Sequence, residues 1–283
     1  MRAEPRHLDR RAPGRTLLVG CGKLGTKLGL RLVAEGSEVV ALRRSTDGLP
    51  VVFTAIADDL DVARERELPV FDSVVITLPP GASEGSGYAA SLNHLAEALP
   101  ERPSRVVFVS STRVFEAQGG ATPLTESTPA TPTSARGREL RDGETLAAEL
   151  LGARIVRPAG IYGPGRESLM RKVREHAPVD YTRRTNRIHE DDLVGLLHTM
   201  LTAVSPPPLI HAVDRAPVPL GEVVTFLAEQ LGVEAPPHLV PETGGGTMLD
   251  GSLMHELVGA LEFPSFREGY ERMLSEARRP TTR

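Results

Sequence analysis

The sequence predicts an α/β protein, a doubly wound parallel sheet with a small C-terminal lobe. Three observations predict it. Short apolar runs alternate with amphipathic helical patterns through the first half of the chain. The first of these runs ends in Gly20-Cys21-Gly22-Lys23-Leu24-Gly25, and a helical pattern follows at once. The second half changes character, with prolines clustered at 206–208 and 236–237 and glycines at 244–246. Continuous apolar strands separated by helices mark a parallel sheet covered on both faces.

The elements can be read in order. Residues 16–19 form a strand and 23–35 a helix, with Gly36 just past its end. A second strand spans 39–42. A third is expected over 51–57, followed by Asp58-Asp59, and a fourth over 73–78, stopped by Pro79-Pro80. An amphipathic helix over 88–99 leads to a strand over 106–109 that ends in Ser110-Ser111-Thr112. A helix over 138–151 and a strand over 153–156 continue the alternation. Later helices are expected over 191–203, 220–231, 253–260 and 266–278, with one more strand over 209–213.

The turn after the first strand has a specific chemistry. Gly20 lets the chain leave the strand sharply. Gly22 has no Cβ, so the backbone can approach a pyrophosphate. Gly25 lets the helix pack closely on the sheet. The helix start offers N–H groups and partial positive charge to phosphates. An NAD site places Asp or Glu at the end of the second strand to take the ribose 2′-hydroxyl. Here Arg43-Arg44-Ser45 stand there, and guanidinium groups suit a 2′-phosphate. The pattern therefore reads as a Rossmann fold that takes NADP (NADPH). Lys23 and Leu24 of the turn, Asp59 after the third strand, Leu78 at the end of the fourth and Pro158 are counted with this cofactor site. Residues 1–14 read as a disordered tail. Residues 15–157, with 186–215 returning, read as the nucleotide-binding core, and 158–185 with 216–283 as the substrate lobe.

Composition sets bounds. The 283 residues are 40% hydrophobic and 25% charged, with a net charge of -4. Nothing global suggests nucleic acid or an anionic membrane, and no apolar run approaches the roughly 20 residues of a membrane span. A single cysteine excludes an internal disulfide and fits the cytoplasm. Cys21, in the glycine turn, reads as a small spacer. No His, Cys, Asp and Glu spacing reads as a metal site.

Val107-Phe108-Val109-Ser110-Ser111-Thr112-Arg113-Val114-Phe115 resembles the extended short-chain dehydrogenase/reductases, the NAD-dependent epimerase/dehydratase family. Three further stretches are similar. Arg157-Pro158-Ala159-Gly160-Ile161-Tyr162-Gly163-Pro164-Gly165 resembles the segment beside the nicotinamide. Arg187-Ile188-His189-Glu190-Asp191-Asp192-Leu193 resembles the return to the sheet. Phe263-Pro264-Ser265-Phe266-Arg267-Glu268-Gly269 resembles the closing helix. Two departures mark an atypical member. The glycine turn is one residue tighter than the family's usual G-x-x-G-x-x-G. The family's Y-x-x-x-K pair is missing, with Arg136 where the resemblance puts the tyrosine and Leu140 where it puts the lysine.

The resemblance gives Ser111 the family's substrate-binding hydroxyl role, with Thr112 beside it. Capping of the strand end is the other reading of both. Arg113, Arg136, Arg157, Arg166, Arg183, Arg184 and Arg187 fall in or near crevice segments. They fit an anionic substrate, or else an arginine-rich surface. Tyr162 is the remaining candidate proton donor, provided that it faces inward, and His189 reads as a packing and capping residue. The catalytic set is thus Ser111, Thr112, Arg136 and Tyr162. The expected function is redox or isomerisation chemistry on a small polar or anionic metabolite. The alternatives are a non-catalytic NADP-binding regulator, or an enzyme that keeps NADP as structure while it cyclises or dehydrates. The helices over 88–99 and 138–151 pair in family dimers. The polar start of the second, with Arg138, Arg141 and Asp142, predicts a monomer or weak homodimer.

Overall fold

The computed structural model describes residues 13–62, 67–79, 87–240 and 245–278. The tail expected over 1–14, apart from its last two residues, and the breaks at Pro80 and Gly244 lie outside the described residues. The elements run β1 (Arg15–Val19), α1 (Lys23–Ala34), β2 (Glu38–Arg43), β3 (Thr54–Ala57), β4 (Ser73–Ile76), α2 (Ala89–Ala98) and β5 (Arg105–Val109). A 3-10 turn (Thr112–Phe115), β6 (Pro123–Leu124), α3 (Ala135–Leu151), β7 (Arg154–Pro158) and β8 (Gly160–Tyr162) follow. Then come α4 (Ser168–Arg174), β9 (Arg184–Thr185), β10 (Arg187–His189), α5 (Glu190–Thr202) and β11 (Leu209–Ala212). The chain closes with β12 (Val218–Pro219), α6 (Leu220–Leu231), β13 (Met248–Leu249), α7 (Ser252–Val258) and α8 (Phe266–Ala277).

Seven strands form one parallel sheet in the order β11-β7-β5-β4-β1-β2-β3. Chain order reverses beside β1, which pairs with β2 on one side and β4 on the other. Ligands bind at such switch points, beyond the carboxyl ends of the strands. Leu17, Val40, Val75 and Val107 are all buried, because helices cover both faces. The helix α1 turns Leu24, Leu28 and Leu32 inward at intervals of four. It lies so close to the sheet that a Cβ on Gly29 would meet the Phe53 ring at 2.5 Å and Leu18 at 2.9 Å.

Three expected boundaries move for local reasons. The third strand starts at Thr54, because the Phe53 N–H closes a turn onto the Pro50 carbonyl and leaves Val51 and Val52 exposed. The helix expected from residue 138 starts at Ala135, because the Ser134 hydroxyl accepts the Gly137 N–H at 3.0 Å. The fourth strand ends at Ile76, because the Thr77 hydroxyl turns onto the Gly20 carbonyl at 2.6 Å.

The chain divides into two compact units. The first comprises the residues up to Ser110 with Ser134–Val156 and Val194–Ile210. The second comprises Ser111–Thr133, Arg157–Leu193 and the residues from His211 onward. The core of the second unit gathers Tyr162, Met170, Val173, Val223, Leu227, Phe266, Tyr270 and Met273 from β8, α4, α6 and α8. A capping box sets the start of α8. The Ser265 N–H donates to Glu268 at 3.0 Å, and the Arg267 N–H donates to the Ser265 hydroxyl at 3.2 Å.

Candidate functional site

In the first unit a pocket of about 390 Å³ opens over the glycine turn. Gly20 sits at φ +77°, a left-handed conformation that favours glycine, and a Cβ there would press on the Leu78 backbone and side chain. Its own N–H is spent on the Leu42 carbonyl at 2.9 Å. The turn is therefore held from both neighbouring strands. Gly22 differs. A Cβ there would meet nothing nearer than the Gly20 carbonyl at 3.9 Å, so it would enter open space. Gly22 is also the N-cap of α1, no side chain caps that helix, and its first turn holds no acid. The Gly22 N–H is spent on the Gly20 carbonyl at 2.7 Å, and a helix start with no side-chain cap and no first-turn acid, beside open space, is the chemistry of a phosphate cradle. The residues present fit a dinucleotide pyrophosphate.

The rim beyond the turn carries charge. Arg43 is half-buried and donates from Nη1 to the Cys21 carbonyl at 3.3 Å. Arg44 and Ser45 are exposed on the pocket wall, where Asp58, Asp59 and Asp61 also stand. The Ser91 hydroxyl donates to Asp61 at 2.6 Å, which fixes that carboxylate. Leu78 lines the pocket, whereas Lys23, Leu24, Gly25 and Pro158 are not on its wall. Leu24 turns into the core, and Gly25 brings α1 against the Cys21 sulfur. Burial holds the Cys21 thiol above its ordinary range, so it stays protonated.

In the second unit a cavity of about 830 Å³ is walled by the 3-10 turn, β8, β9 and β10. Ser111 and Thr112 border it. The Ser111 hydroxyl accepts the Arg113 N–H at 3.2 Å, so it caps the 3-10 turn and faces the cavity at once. Arg136 does not border it. It is on α3 in the first unit, 3.7 Å from Glu139, and borders neither cavity. Tyr162 borders the cavity, but its hydroxyl donates to the Ser265 carbonyl at 3.2 Å. Burial, reinforced by Asp214, holds its phenol far above the usual range.

Arg187 and Tyr270 share the cavity wall, and Asp214 stands behind them. All three are buried. The Arg187 guanidinium donates to the Tyr270 hydroxyl and lies 6.0 Å from the centroid of the Phe266 ring. Asp214 accepts the Ala216 N–H at 3.0 Å and donates its own N–H to the Arg187 carbonyl at 2.7 Å. Desolvation pushes the Asp214 carboxyl up to about 7, against the pull of the Arg187 charge. Arg187 stood among the arginines read from the sequence. Asp214 and Tyr270 did not, because neither sits in a spacing that carries chemistry. His189 packs its ring on Phe263 at a centroid distance of 3.9 Å and accepts the Asp191 N–H, as its packing role requires. Among the described residues no cluster of three His, Cys, Asp or Glu is placed to hold a metal, and no helix is long and apolar enough to cross a membrane.

Comparison with known proteins fits this geometry. The family model described as the RmlD substrate binding domain matches residues 88–193. Protein YeeZ of Escherichia coli K12 is 30% identical over 266 residues, which cover 87% of this chain and 95% of YeeZ. A structure from Methylobacillus flagellatus, provisionally assigned as an NAD-dependent epimerase/dehydratase, superposes with a TM-score of 0.81 at 27% identity. The match covers 94% of this chain and 99% of the other. The UDP-glucuronic acid 4-epimerase of Bacillus cereus, solved with UDP-glucuronic acid and NAD, shares the fold at 18% identity. Its TM-score is 0.71, over 92% of this chain and 98% of the other. With its switch-point pocket, glycine turn and whole-length relatives, the chain belongs to the extended short-chain dehydrogenase/reductase-like, NAD-dependent epimerase/dehydratase family, alongside YeeZ.

Proposed function

We propose that the protein is an NADP-dependent oxidoreductase or isomerase acting on a small polar, anionic metabolite. One observation carries the cofactor choice: Arg43 and Arg44, with no acid, close the second strand at the rim of the pocket over Gly22. A 2′-phosphate there meets one or two guanidinium groups, whereas a bare ribose meets no carboxylate on that strand end. Gly20, Gly22 and the start of α1 take the pyrophosphate. Leu78 and Asp59 line the remainder of the pocket.

When bound, the cofactor supplies or accepts hydride. The chain's own part is position and electrostatics. The Ser111 hydroxyl accepts the Arg113 N–H and keeps its own hydrogen to donate to a substrate oxygen. Thr112 stands beside it. Arg136 and Leu140 replace the tyrosine and lysine that the family resemblance leads one to expect, and neither serves as an acid near neutral pH. Tyr162 is spent on the Ser265 carbonyl, so its role is structural. The proton is then delivered by water, with arginines of the cavity stabilising charge on the oxygen.

The test is to follow the reduced-nicotinamide absorbance band with NADPH and a panel of small carbonyl compounds bearing carboxylate or phosphate. A substrate-dependent fall in that band supports a reductase. Product formation without net change in the band points to an isomerase or to structural NADP. Robust turnover of nucleotide sugars would contradict the proposed acid-poor site. NADPH binding with no turnover of any substrate would favour a regulator.

A further inference from the structure

Two buried polar atoms of the second unit stand without partners although their residues are neighbours. Among the described residues Nη1 of Arg187 and Oδ2 of Asp214 have no hydrogen-bond partner, and the two residues are only 6% and 2% exposed. Their backbones are joined, because the Asp214 N–H donates to the Arg187 carbonyl at 2.7 Å. Their side chains are not. The guanidinium donates to the Tyr270 hydroxyl instead, and Asp214 takes the Ala216 N–H on its other oxygen.

Leaving a buried guanidinium and a buried carboxyl apart costs free energy, and pairing them recovers it fully only when the carboxyl is ionised. Desolvation outweighs the pull of Arg187 and holds the Asp214 proton to about 7. The carboxyl therefore changes from a weak to a strong partner for the guanidinium as pH crosses neutrality.

No other group competes for that role. Besides Arg187 of β10, Asp214 is faced by Tyr162 of β8, Asp192 of α5, and Glu268 and Tyr270 of α8. Asp192 already accepts the Glu262 and Phe263 N–H groups at 2.8 and 3.0 Å. Glu268 accepts the Ser265 N–H in the capping box, and the Tyr162 hydroxyl is spent on the Ser265 carbonyl. The frame is fixed as well, since β10 pairs with β8 through Arg187 and Gly160. The part free to move is the Arg187 side chain, a guanidinium on a flexible stem with two acceptors in reach, the Tyr270 hydroxyl and Asp214 Oδ2.

We propose that Asp214 and Arg187 form a pH-driven latch in the wall of the second cavity: protonated Asp214 leaves the guanidinium on the Tyr270 hydroxyl, and ionised Asp214 draws it onto Oδ2. One proton leaves Asp214 in the step, and no covalent bond changes other than its O–H. Arg187 and Tyr270 both border the cavity, so the latch changes the charge and hydrogen bonding of its wall near neutral pH. It stands independently of the activity proposed above.

The experiment is carbon NMR of the full chain labelled at tyrosine Cζ, the carbon that bears the hydroxyl. The chain has four tyrosines, and Tyr270→Phe identifies the Tyr270 signal by its loss. Between about pH 5 and about pH 9 that signal should follow a single protonation with its midpoint at about 7. Asp214→Asn should abolish the shift. Arg187→Met should reduce it several-fold, because the field of Asp214 remains but the hydrogen bond it redirects is gone. Tyr162 also feels Asp214, yet its hydroxyl stays on Ser265, so its signal should move several-fold less than that of Tyr270. If either variant does not fold, this comparison within the unmodified protein decides. The latch is overturned by a Tyr270 signal that does not titrate or that moves no more than that of Tyr162. An undiminished shift in Asp214→Asn or in Arg187→Met overturns it equally.

Discussion

The Tyr162 hydroxyl donates to the Ser265 carbonyl across 3.2 Å and ties β8 to the start of α8. Its ring packs on Tyr270 at a centroid distance of 4.8 Å and on His189 at 5.1 Å. Gly269 is the matching close approach on α8, since a Cβ there would strike the phenol. Tyr162→Phe keeps the ring and loses one hydrogen bond. It should cost about 1 kcal/mol in urea unfolding and leave turnover unchanged. Lost turnover at unchanged stability would instead give Tyr162 a proton-transfer role.

Gly22→Val tests the phosphate cradle. Its backbone is extended with a negative φ of -88°, outside the left-handed region, and the new side chain enters open space. Circular dichroism and the unfolding midpoint should barely move, while NADPH affinity should fall by more than tenfold. Gly29→Val is the contrast, because its side chain would collide with Phe53 and Leu18. That variant should lose stability and carry its loss of binding with it. Retained NADPH binding by Gly22→Val would place the nucleotide elsewhere.

Asp214 makes stability depend on pH. The unfolded chain releases this proton near its ordinary value of 3.8, whereas the folded protein holds it to about 7. The folded state therefore binds more protons in that window, and the stability this group contributes is lost as pH rises from about 4 to about 7. Arg187 pulls the value down, while Asp192 and Glu268 push it up. Asp214→Asn keeps an acceptor for the Ala216 N–H and removes the titration. Its stability relative to wild type should improve by roughly 2–4 kcal/mol between pH 4.5 and pH 8. A pH-independent difference in unfolding free energy would show that Asp214 is ionised throughout.

The opening βαβ unit was legible because every signal agreed. Leu17, Leu18 and Val19 are apolar and buried, the glycines stand where the turn needs them, and Leu24, Leu28 and Leu32 keep helical spacing. Val51 and Val52 misled, since an apolar pair reads as strand although Pro50 makes it a turn exposed to solvent. The α4 helix went unseen because seven residues with two buried side chains give almost no periodic signal. The cofactor turn is local in sequence and could be read there. The cluster of Arg187, Asp214 and Tyr270 is not, since three separate segments bring it together and no spacing rule links them. Arg136 shows the converse. Alignment with a catalytic position drew attention to it, yet its charge lies beside Glu139, and it lines neither cavity.

On the proposed reading Arg43 and Arg44 select a 2′-phosphate, and calorimetric titration of the purified protein with NADPH and with NADH decides it. A charge-assisted phosphate contact contributes about 1.5–3 kcal/mol, so NADPH should bind roughly 10- to 150-fold more tightly. Arg43→Asp should remove most of that preference, although it also breaks the bond to the Cys21 carbonyl. Arg44→Asp, which leaves that bond in place, should reduce the preference without weakening NADH. Equal affinities in the unmodified protein, or tighter binding of NADH, would show that the two arginines do not select a 2′-phosphate.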